Sequence, residues 1–293
     1  MKAFGVNESE VTSRKGLSDA DFTMPRVLGI ECVGIVDEAP EGGGLKPGQR
    51  VAAMMGGMWR SFDGSYADYT VVPAAQVIPF ETSLPWDVLG ALPEMFQTAY
   101  GSLTKGLDLR RRQTLLIRGG TSTVGLSAAT IAKEMGAVVI STTRRPDRIE
   151  KLRALGVDHP LVDDGTIADA VRALFPNGVD AGLELVGGPT LRDTLQATRV
   201  HGTVCFTGAL SDEWVIQEFS PLGYIPFGVR MTAYGGGAAD LPSSVFNQQL
   251  RAIADGRLKV SVAKVYRGLE QVRDAQADLE AGTTPGKHVV VLD

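Results

Sequence analysis

The sequence predicts an α/β protein built on a doubly wound parallel sheet of six strands, with a second, β-rich module before it. Two observations carry this prediction. The first is a succession of strand, glycine turn, helix and strand within residues 113–145. The second is the alternation of strand-like and helix-like segments that continues from there to residue 234. In such sheets the ligand lies outside the carboxyl ends of the strands.

The first of these units is typical of dinucleotide-binding proteins. Residues 114–117 form a short apolar run that leads into a glycine pair. From Val124 onward the apolar residues follow helical spacing, and Gly136 ends that helix. Residues 138–141 form a second, β-branched run. A helix N-terminus placed in this way holds the pyrophosphate of a dinucleotide.

The turn itself matches G-x-G-x-x-G except that Ser122 replaces the middle glycine. Gly120 permits the tight turn, and Gly125 lets helix and strand approach closely. The hydroxyls of Ser122 and Thr123 are candidate donors to phosphate oxygens beside the backbone N–H groups of the helix start. An ordinary turn that needs two small residues is the alternative, but the flanking elements favour a cofactor site. The predicted pyrophosphate site comprises Gly120, Thr121, Ser122, Thr123, Val124 and Gly125.

The end of the second strand indicates which dinucleotide binds. A cofactor with a free ribose 2′-hydroxyl usually meets an Asp or Glu about 20 residues after the glycines. This sequence has Thr142, Thr143, Arg144 and Arg145 there. Two guanidinium groups suit a 2′-phosphate, so the sequence favours NADPH over NADH. The alternative is a solvated loop in which the arginines pair with Asp147 or Glu150.

Composition narrows the function further. The chain has 293 residues, a formal net charge of −5 and 44% hydrophobic residues, which suits a soluble α/β enzyme and predicts no nucleic-acid partner. No apolar run is long enough to span a membrane, and the N-terminus does not resemble a signal peptide. Cys32 and Cys205 lie in apolar runs and are expected to be buried thiols. We therefore expect a cytoplasmic protein without a membrane partner.

The predicted domains are an N-terminal β-rich domain at residues 1–94, a cofactor-binding domain at 95–256 and a return to the first domain at 257–293. The first contains strand-like runs at residues 28–36 and 64–72, with a turn at 46–51 that leads into another strand. The last contains a strand, a helix and a strand after the sheet is complete. That order suggests a return to the first module.

Taken together, the motifs resemble those of one family. They are AFGVNESEVTSRKG (3–16), VLGIECVGIVDEA (27–39), KPGQRV (46–51), GSYADYTVVP (64–73), RGGTSTVGLSAATIAKEMGA (118–137), LELVGG (183–188) and GKHVVV (286–291). With these motifs the chain is similar to medium-chain dehydrogenases/reductases of the zinc-independent, zeta-crystallin-like quinone oxidoreductase branch over nearly its whole length. The resemblance implies a Rossmann domain that binds NADP(H) and a GroES-like catalytic domain.

The resemblance also implies that no metal is bound. Zinc-dependent members carry a cysteine where this chain has Asn7 and a His-Glu pair where it has Ile30 and Glu31. A zinc site needs several N or S ligands at one point, and the histidines at 159, 201 and 288 form no ligand pair in the sequence. They are expected at the surface or at strand ends.

Further site residues are carried over from the family. Asn7 resembles the asparagine that faces the nicotinamide and the substrate, with a turn-capping role as its alternative. Thr98 resembles a threonine near the nicotinamide carboxamide, or is an ordinary helix residue. The family position of a tyrosine is Thr12 here, so the proton donor stays open and solvent is one candidate. The positions that line the nicotinamide-ribose end are Val186, Gly187, Gly208 and Ala209.

One departure concerns the N-terminus. Family members begin with additional β-strands before the run that matches residues 3–10. We therefore expect that the GroES-like domain is incomplete at its N-terminus, through a misassigned start or a real shortening. Unpaired strand edges would then weaken the domain.

The leading functional hypothesis is a zinc-independent, NADPH-dependent reductase of quinones or α,β-unsaturated carbonyls, which accept hydride without a metal Lewis acid. A non-catalytic NADPH-binding protein and an NAD(P)-linked dehydrogenase are the alternatives. The strand predicted at residues 229–234 would lie at a sheet edge, which makes a homodimer an expectation. The substrate is not identified; Trp59, Phe62, Trp214 and Tyr224 are pocket or core candidates.

Overall fold

A computed structural model describes residues 1–18 and 22–292. It divides into two compact units, one formed by Met1–Gln97 with Gly236–Asp293 and the other by Thr98–Gly235. The strands of the described residues are β1 (Ala3–Val6), β2 (Glu31–Ile35), β3 (Arg50–Met54), β4 (Val77–Pro79), β5 (Thr114–Arg118), β6 (Val138–Thr143), β7 (His159–Val162), β8 (Val179–Glu184), β9 (Thr198–Phe206), β10 (Arg230–Ala233), β11 (Val262–Arg267) and β12 (Lys287–Val291).

The helices are α1 (Glu8–Arg14), α2 (Trp86–Leu89), α3 (Pro93–Gly101), α4 (Thr123–Glu134), α5 (Ile149–Ala154), α6 (Ala168–Leu174), α7 (Gly188–Gln196), α8 (Pro221–Tyr224), α9 (Ser243–Ala254) and α10 (Val272–Ala281). Short 3₁₀ turns and one wider helical turn, Ser102–Gly106, complete the helical structure of the described residues.

The second unit contains the predicted doubly wound sheet. Its strands are ordered β10-β9-β8-β5-β6-β7 and all neighbouring pairs are parallel. The apolar runs recognised in the sequence fill its core, because a parallel sheet is covered on both faces. Leu116, Ile140, Val171 and Val179 are fully buried in one such cluster. The predicted fold class is confirmed.

The first unit is built on a mixed sheet ordered β11-β12-β1-β2-β3-β4. Strand β1 pairs antiparallel with β12, so that Ala3 lies opposite Val291. Phe4, Cys32, Tyr266 and Val290 share a hydrophobic cluster. The C-terminal strands thus complete the sheet that the N-terminal strands begin.

The limits of the units differ from the predicted domains at two points, by three residues at 95–97 and by a longer segment after residue 235. Residues 236–256 were assigned from the sequence to the cofactor-binding domain, whereas in the structure they cluster with the first unit. The buried face of α9 explains this, because Phe246 packs edge-on against Phe80 at a centroid distance of 6.1 Å. Its neighbour Asn247 donates a hydrogen bond to the carbonyl of Pro79.

The strand predicted at residues 64–72 is wrong. The structure describes all of residues 64–72 and has no strand there; the edge of the sheet beyond β3 is formed by β4. The N–H groups of Gly64, Ser65 and Tyr66 donate to carbonyls of residues 27–29, and the Asp68 carbonyl accepts from the N-terminal amino group. Val71 beyond it is 88% exposed. A β-prone sequence therefore makes isolated backbone hydrogen bonds here without forming a strand.

Both cysteines are buried free thiols, as expected. His288 was expected at the surface or at a strand end, but it is buried in β12, where its Nδ1 lies 2.8 Å from the Tyr266 hydroxyl. No helix among the described residues is long and apolar enough to cross a membrane.

Candidate active site

The glycine turn lies between β5 and α4, where the sheet reverses its strand order. Gly119 has φ = 81°, a left-handed conformation that disfavours side chains. A Cβ on Gly120 would lie 1.8 Å from Ser141 Oγ, and one on Gly125 would lie 2.5 Å from the Gly119 carbonyl oxygen. Both glycines are therefore required by contact between helix, turn and strand, as the sequence pattern predicts.

Ser122 has a different role from the one expected. Its hydroxyl donates to the Gly119 carbonyl (2.8 Å) and accepts from the Gly125 N–H (3.1 Å), so Ser122 is the N-cap of α4. The hydroxyl proton is used inside the turn, so Ser122 Oγ is not a free phosphate donor. Thr123 has no side-chain hydrogen bond among the described residues, and its hydroxyl stays available for a ligand.

The turn fits the pyrophosphate of a dinucleotide. Residues 121–124 are partly exposed, while Gly120 and Gly125 are buried. Helix α4 has 12 residues, and the first N–H groups of such a helix point out of its end with a partial positive charge. This helix start, with the partly exposed residues 121–124 around it, suits a bound anion.

At the end of β6 the four predicted residues behave differently. Thr142 and Thr143 are buried. The Thr142 hydroxyl donates to Asp163 (3.1 Å), and Thr143 Oγ1 accepts from the Arg145 N–H (3.2 Å). These hydroxyls are thus occupied within the protein.

The two arginines that follow are exposed but not equivalent. Arg145 forms a surface ion pair with Asp147 at 2.8 Å, the alternative considered for this loop. Arg144 has no ion pair among the described residues and remains the arginine that can take a 2′-phosphate.

The sequence analysis did not include Arg148 with the basic residues Arg144 and Arg145. Burial, followed by the charges of Arg145 and Arg144, lowers the pKa of Arg148, against the opposing charge of Asp147. Burial and the Arg148 charge likewise lower the pKa of Lys151. Arg148 ends the short turn Pro146–Arg148, four residues after Arg144, and this closeness in the sequence is the signal that could have identified it.

The predicted nicotinamide-ribose residues lie at the ends of β8 and β9. The carboxylate of Glu184 accepts hydrogen bonds from the N–H groups of Val186 (2.8 Å) and Gly187 (3.1 Å). Gly187 has φ = 116°, which the turn into α7 requires. Gly208 and Ala209 belong to a loop that bonds back to β8, since Gly208 N–H donates to the Glu184 carbonyl. The structure thus places these four residues together.

Thr98 lies half-buried in α3, where its carbonyl accepts a hydrogen bond from Ser102 Oγ (2.7 Å). Ser102 Oγ also lies 3.0 Å from Thr207 Oγ1, directly before Gly208. Thr98 is therefore linked through Ser102 to the end of β9. This places it in the second unit near the predicted nicotinamide-ribose residues.

In the first unit the predicted catalytic residue Asn7 belongs to a buried polar cluster. We call this the Lys287 cluster; it comprises Asn7, Glu10, Glu31, Glu94 and Lys287. Lys287 is fully buried, with its Nζ 2.6 Å from Glu31 Oε1 and 3.1 Å from Glu94 Oε2. Lys287 Nζ also donates to Asn7 Oδ1. Burial alone lowers the pKa of Lys287, but the charges of Glu31 and Glu94 outweigh it and raise that pKa.

Asn7 is 9% exposed, and the cluster fixes its amide. Its Nδ2 donates to Glu31 Oε1 (3.1 Å) and Glu10 Oε1 (3.4 Å). Its backbone N–H donates to Glu10 Oε2 (2.6 Å), which makes Asn7 the N-cap of α1 as well. The capping role considered for Asn7 is therefore observed, and both of its amide protons are engaged within the cluster.

Glu10 connects the cluster to Tyr66. Glu10 Oε2 accepts from the Tyr66 hydroxyl (2.7 Å) and Glu10 Oε1 from the Ile30 N–H (2.7 Å). Burial raises the pKa of Glu10 to about 7, although these donors oppose the shift. Burial, then the Glu10 charge, raises the pKa of Tyr66. Sequence reasoning missed Glu10, Glu94 and Lys287, because they come together only through the fold.

These residues do not fit a zinc site. The carboxylates of Glu31 and Glu94 converge on the ammonium group of Lys287, and no histidine or cysteine joins them. Among the described residues no group of three His, Cys, Asp or Glu side chains could hold a metal ion. Zinc prefers a tetrahedral set of nitrogen and sulfur ligands.

An apolar cavity of about 650 Å³ lies in the first unit and contains Phe62, one of the pocket candidates, but none of the predicted site residues. Trp59 is buried, with its Nε1 donating to Ser13 Oγ (2.9 Å), and is a core residue. Trp214 is exposed in the second unit and packs edge-on against Phe206. Tyr224 packs against Phe219.

Comparison with known proteins agrees with both units. Residues 1–82 match the family model described as an alcohol dehydrogenase GroES-like domain, and residues 123–254 match the one described as a zinc-binding dehydrogenase. Together the two matches cover most of the chain. The chain belongs to the medium-chain dehydrogenase/reductase superfamily.

Within this superfamily it falls in the quinone oxidoreductase-like branch. A probable quinone oxidoreductase of Leishmania amazonensis is 26% identical over 100% of this chain and 87% of its own length. The chain spans only 63% of the length of one other curated relative and 8% of two more. The family models and the quinone oxidoreductase relative support an oxidoreductase.

Two similar solved structures are of proteins with a known nicotinamide cofactor. A mycobacterial protein complexed with NADPH is 25% identical, with a TM-score of 0.83 over 99% of this chain and 89% of that chain. An NAD-dependent alcohol dehydrogenase is also 25% identical, with a TM-score of 0.86 over 100% of this chain and 90% of that chain. The medium-chain dehydrogenase/reductase fold binds a nicotinamide cofactor. Of these two neighbours, one is bound to NADPH and the other is NAD-dependent.

Proposed function

We propose that this protein is an NADPH-dependent reductase that transfers hydride to a quinone or an α,β-unsaturated carbonyl without a metal. The preference for NADPH over NADH rests on the exposed Arg144 after the end of β6. Residues 142–145 include no Asp or Glu that could bind a ribose 2′-hydroxyl. A guanidinium group in this place can form charge-assisted hydrogen bonds with a 2′-phosphate.

The residues of the second unit bind and orient the cofactor, which supplies the hydride when bound. The helix N-terminus at Thr123 and Val124 holds the pyrophosphate, with the Thr123 hydroxyl as an additional donor. Arg144 binds the 2′-phosphate. Glu184 fixes the backbone of Val186 and Gly187 through two hydrogen bonds, which keeps the nicotinamide-ribose end in one conformation.

The substrate class follows from the residues available for chemistry. The Lys287 cluster offers no zinc ligand set, so a Lewis acid bound there would lack its preferred donors. A conjugated acceptor such as a quinone or an enone does not require a metal Lewis acid, because it delocalises the incoming negative charge onto its own oxygen. The protein then mainly orients this substrate. We assign Asn7 and Thr98 to the substrate and nicotinamide end on the basis of the family resemblance.

A second candidate, a non-catalytic NADPH-binding protein, is favoured by one observation. Both amide protons of Asn7 are donated to Glu31 and Glu10, so Asn7 has no free N–H for a substrate oxygen. In that case the Lys287 cluster would serve stability alone. An NAD(P)-linked dehydrogenase is a third candidate, which the Thr142-to-Arg145 run disfavours.

A homodimer is also part of the proposal. Strand β10 is the edge of the parallel sheet, and an edge strand offers unpaired N–H and C=O groups to a second copy. Phe227, three residues before the start of this strand, is 94% exposed. The proposed location is the cytoplasm, which fits free cysteines at Cys32 and Cys205.

The deciding experiment is oxidation of NADPH and of NADH by the purified protein with a panel of quinones and enones. We expect turnover with NADPH and an increase in the KM for NADPH of about tenfold or more in Arg144→Ala, since a charged hydrogen bond is lost. Arg153→Ala, which removes an exposed arginine paired with Glu150, is the matched control. NADPH binding without any turnover would favour the second candidate.

A further inference from the structure

A buried charged triad lies beneath the adenosine end of the proposed site, which we call the Arg118 clamp: Arg118, Asp163 and Asp193. Arg118 is 0% exposed at the end of β5. Its Nε and Nη2 bind Asp163 Oδ2 and Oδ1 at 2.5 and 2.8 Å. Its Nη1 binds Asp193 Oδ2 at 2.6 Å. The two bonds to Asp163 form the bidentate geometry that makes a guanidinium–carboxylate pair strong.

Asp163 lies beside the residues that would bind the 2′-phosphate. Strands β6 and β7 pair in parallel with Thr143 opposite Val162, so the next residues, Arg144 and Asp163, follow at the same edge. The backbone N–H of Asp163 donates to the Thr143 carbonyl at 2.9 Å. Thus the carboxylate that is absent after β6 is present one strand away, after β7.

The side chain of Asp163 is tied to the glycine turn as well. Its Oδ2 accepts from the Thr142 hydroxyl at 3.1 Å, and Thr142 Oγ1 accepts from the Gly119 N–H at 3.2 Å. It also caps the following loop, since its Oδ1 accepts from the Gly165 N–H (2.9 Å). Asp163 is therefore held in place at the ribose end, where a negative charge would repel a phosphate.

Asp193 has donors of its own. Its carboxylate accepts from the N–H groups of Ile167 (2.8 Å) and Ala168 (3.2 Å) at the start of α6. Arg118 donates hydrogen bonds to the carboxylates of both Asp163 and Asp193, and these backbone N–H groups also stabilise that of Asp193. On removal of Arg118 both carboxylates lose their guanidinium partner, and Asp163 is the one that follows β7, next to the end of β6.

We propose that Arg118 is a cofactor-specificity residue: by neutralising Asp163 it keeps the end of β6 favourable for a 2′-phosphate. This inference rests on the proposed NADPH function and adds a second arginine to it, one that acts through Asp163 without touching the cofactor. Arg144 attracts the phosphate, whereas Arg118 removes the charge that would discriminate against it.

The test uses two nucleotides that lack the nicotinamide, adenosine 2′,5′-bisphosphate and adenosine 5′-monophosphate, with dissociation constants measured by calorimetry. In Arg118→Gln we expect the affinity for the bisphosphate to fall about tenfold and that for the monophosphate to change less than about threefold, since only the former carries the extra charge. The loss should shrink at high salt.

Charge balance is the control. Asp163→Asn should bind the bisphosphate at least as tightly as the wild type, and the double variant Arg118→Gln/Asp163→Asn should recover the wild-type ratio of the two affinities. If Arg118→Gln does not fold, the other two variants decide. The proposal would be overturned if Arg118→Gln lost the same affinity for both nucleotides. It would also be overturned if Asp163→Asn lowered the ratio of bisphosphate affinity to monophosphate affinity, or if the double variant did not recover the wild-type ratio.

Failure of this inference can be separated from failure of the proposed function. A wild-type protein that does not prefer the bisphosphate overturns both. A wild-type preference that Arg144→Ala removes, but that none of the Arg118 clamp variants changes, overturns the role of Arg118 and leaves the NADPH function standing.

Discussion

Lys287 Nζ lies 2.6 Å from Glu31 Oε1, and neither side chain is exposed to solvent. Because the partners are buried, removal of the ammonium leaves uncompensated charge in the core. We expect Lys287→Met to lower the free energy of unfolding by about 3–5 kcal/mol, measured by urea denaturation. Lys264→Met, which removes an exposed lysine paired with Asp278, should change it by less than about 1 kcal/mol. Equal effects of the two substitutions would contradict the structural account.

Glu10 should make stability depend on pH. Burial raises its pKa from 4.5 to about 7, so between these values the native state holds a proton that the unfolded chain releases. The contribution of Glu10 to the free energy of unfolding therefore decreases as the pH rises through this window, by at most about 1.4 kcal/mol per pH unit. Urea denaturation of wild type and Glu10→Gln at several pH values measures it. Identical slopes for both proteins would show that Glu10 titrates normally.

Gly120→Ala should abolish cofactor binding or destabilise the second unit. The new Cβ would lie 1.8 Å from Ser141 Oγ and 2.9 Å from the Thr142 carbonyl oxygen, so the turn must move. A matched control is Gly223→Ala, whose Cβ would meet nothing nearer than 3.8 Å. NADPH binding by fluorescence titration should be lost in the first variant and retained in the second. Unchanged binding in Gly120→Ala would mean that the turn does not hold the pyrophosphate.

Ser122 offers a test of capping against direct phosphate binding. Ser122→Ala removes the N-cap and should cost about 1 kcal/mol of stability, whereas Ser122→Gly should cost only a few tenths. Because the Ser122 hydroxyl donates to Gly119, Ser122→Gly should keep NADPH affinity within about threefold, a change of under 1 kcal/mol. A much larger loss of affinity in the glycine variant would show that Ser122 Oγ contacts the phosphate after all.

The fold was predictable because its main signals are local. The glycines at 120 and 125 and the apolar runs around them specify strand, turn and helix within a short stretch. The strand expected at residues 64–72 failed for the opposite reason. Whether a β-prone segment pairs depends on a partner strand elsewhere in the chain, and the strand that lies beside β3 is β4.

The site was predictable only in part for the same reason. The predicted cofactor-binding residues lie at strand ends, which the alternation of elements locates. The Lys287 cluster joins Asn7 to Lys287 across 280 positions, and no local spacing indicates that contact. The sequence analysis did not identify Arg118 as part of a charged cluster, because its partners lie far along the chain. Asp163 follows β7, and Asp193 lies in α7.

The return of β12 to β1 has a consequence for the order of folding. Ala3 pairs with Val291, so the first sheet cannot close until the ribosome has released nearly the whole chain, whereas Thr98–Gly235 is continuous and can fold earlier. Closing so long a loop slows folding. Until β12 arrives, Glu31 and Glu94 lack their ammonium partner. The nascent first unit should therefore depend on chaperones more than the second.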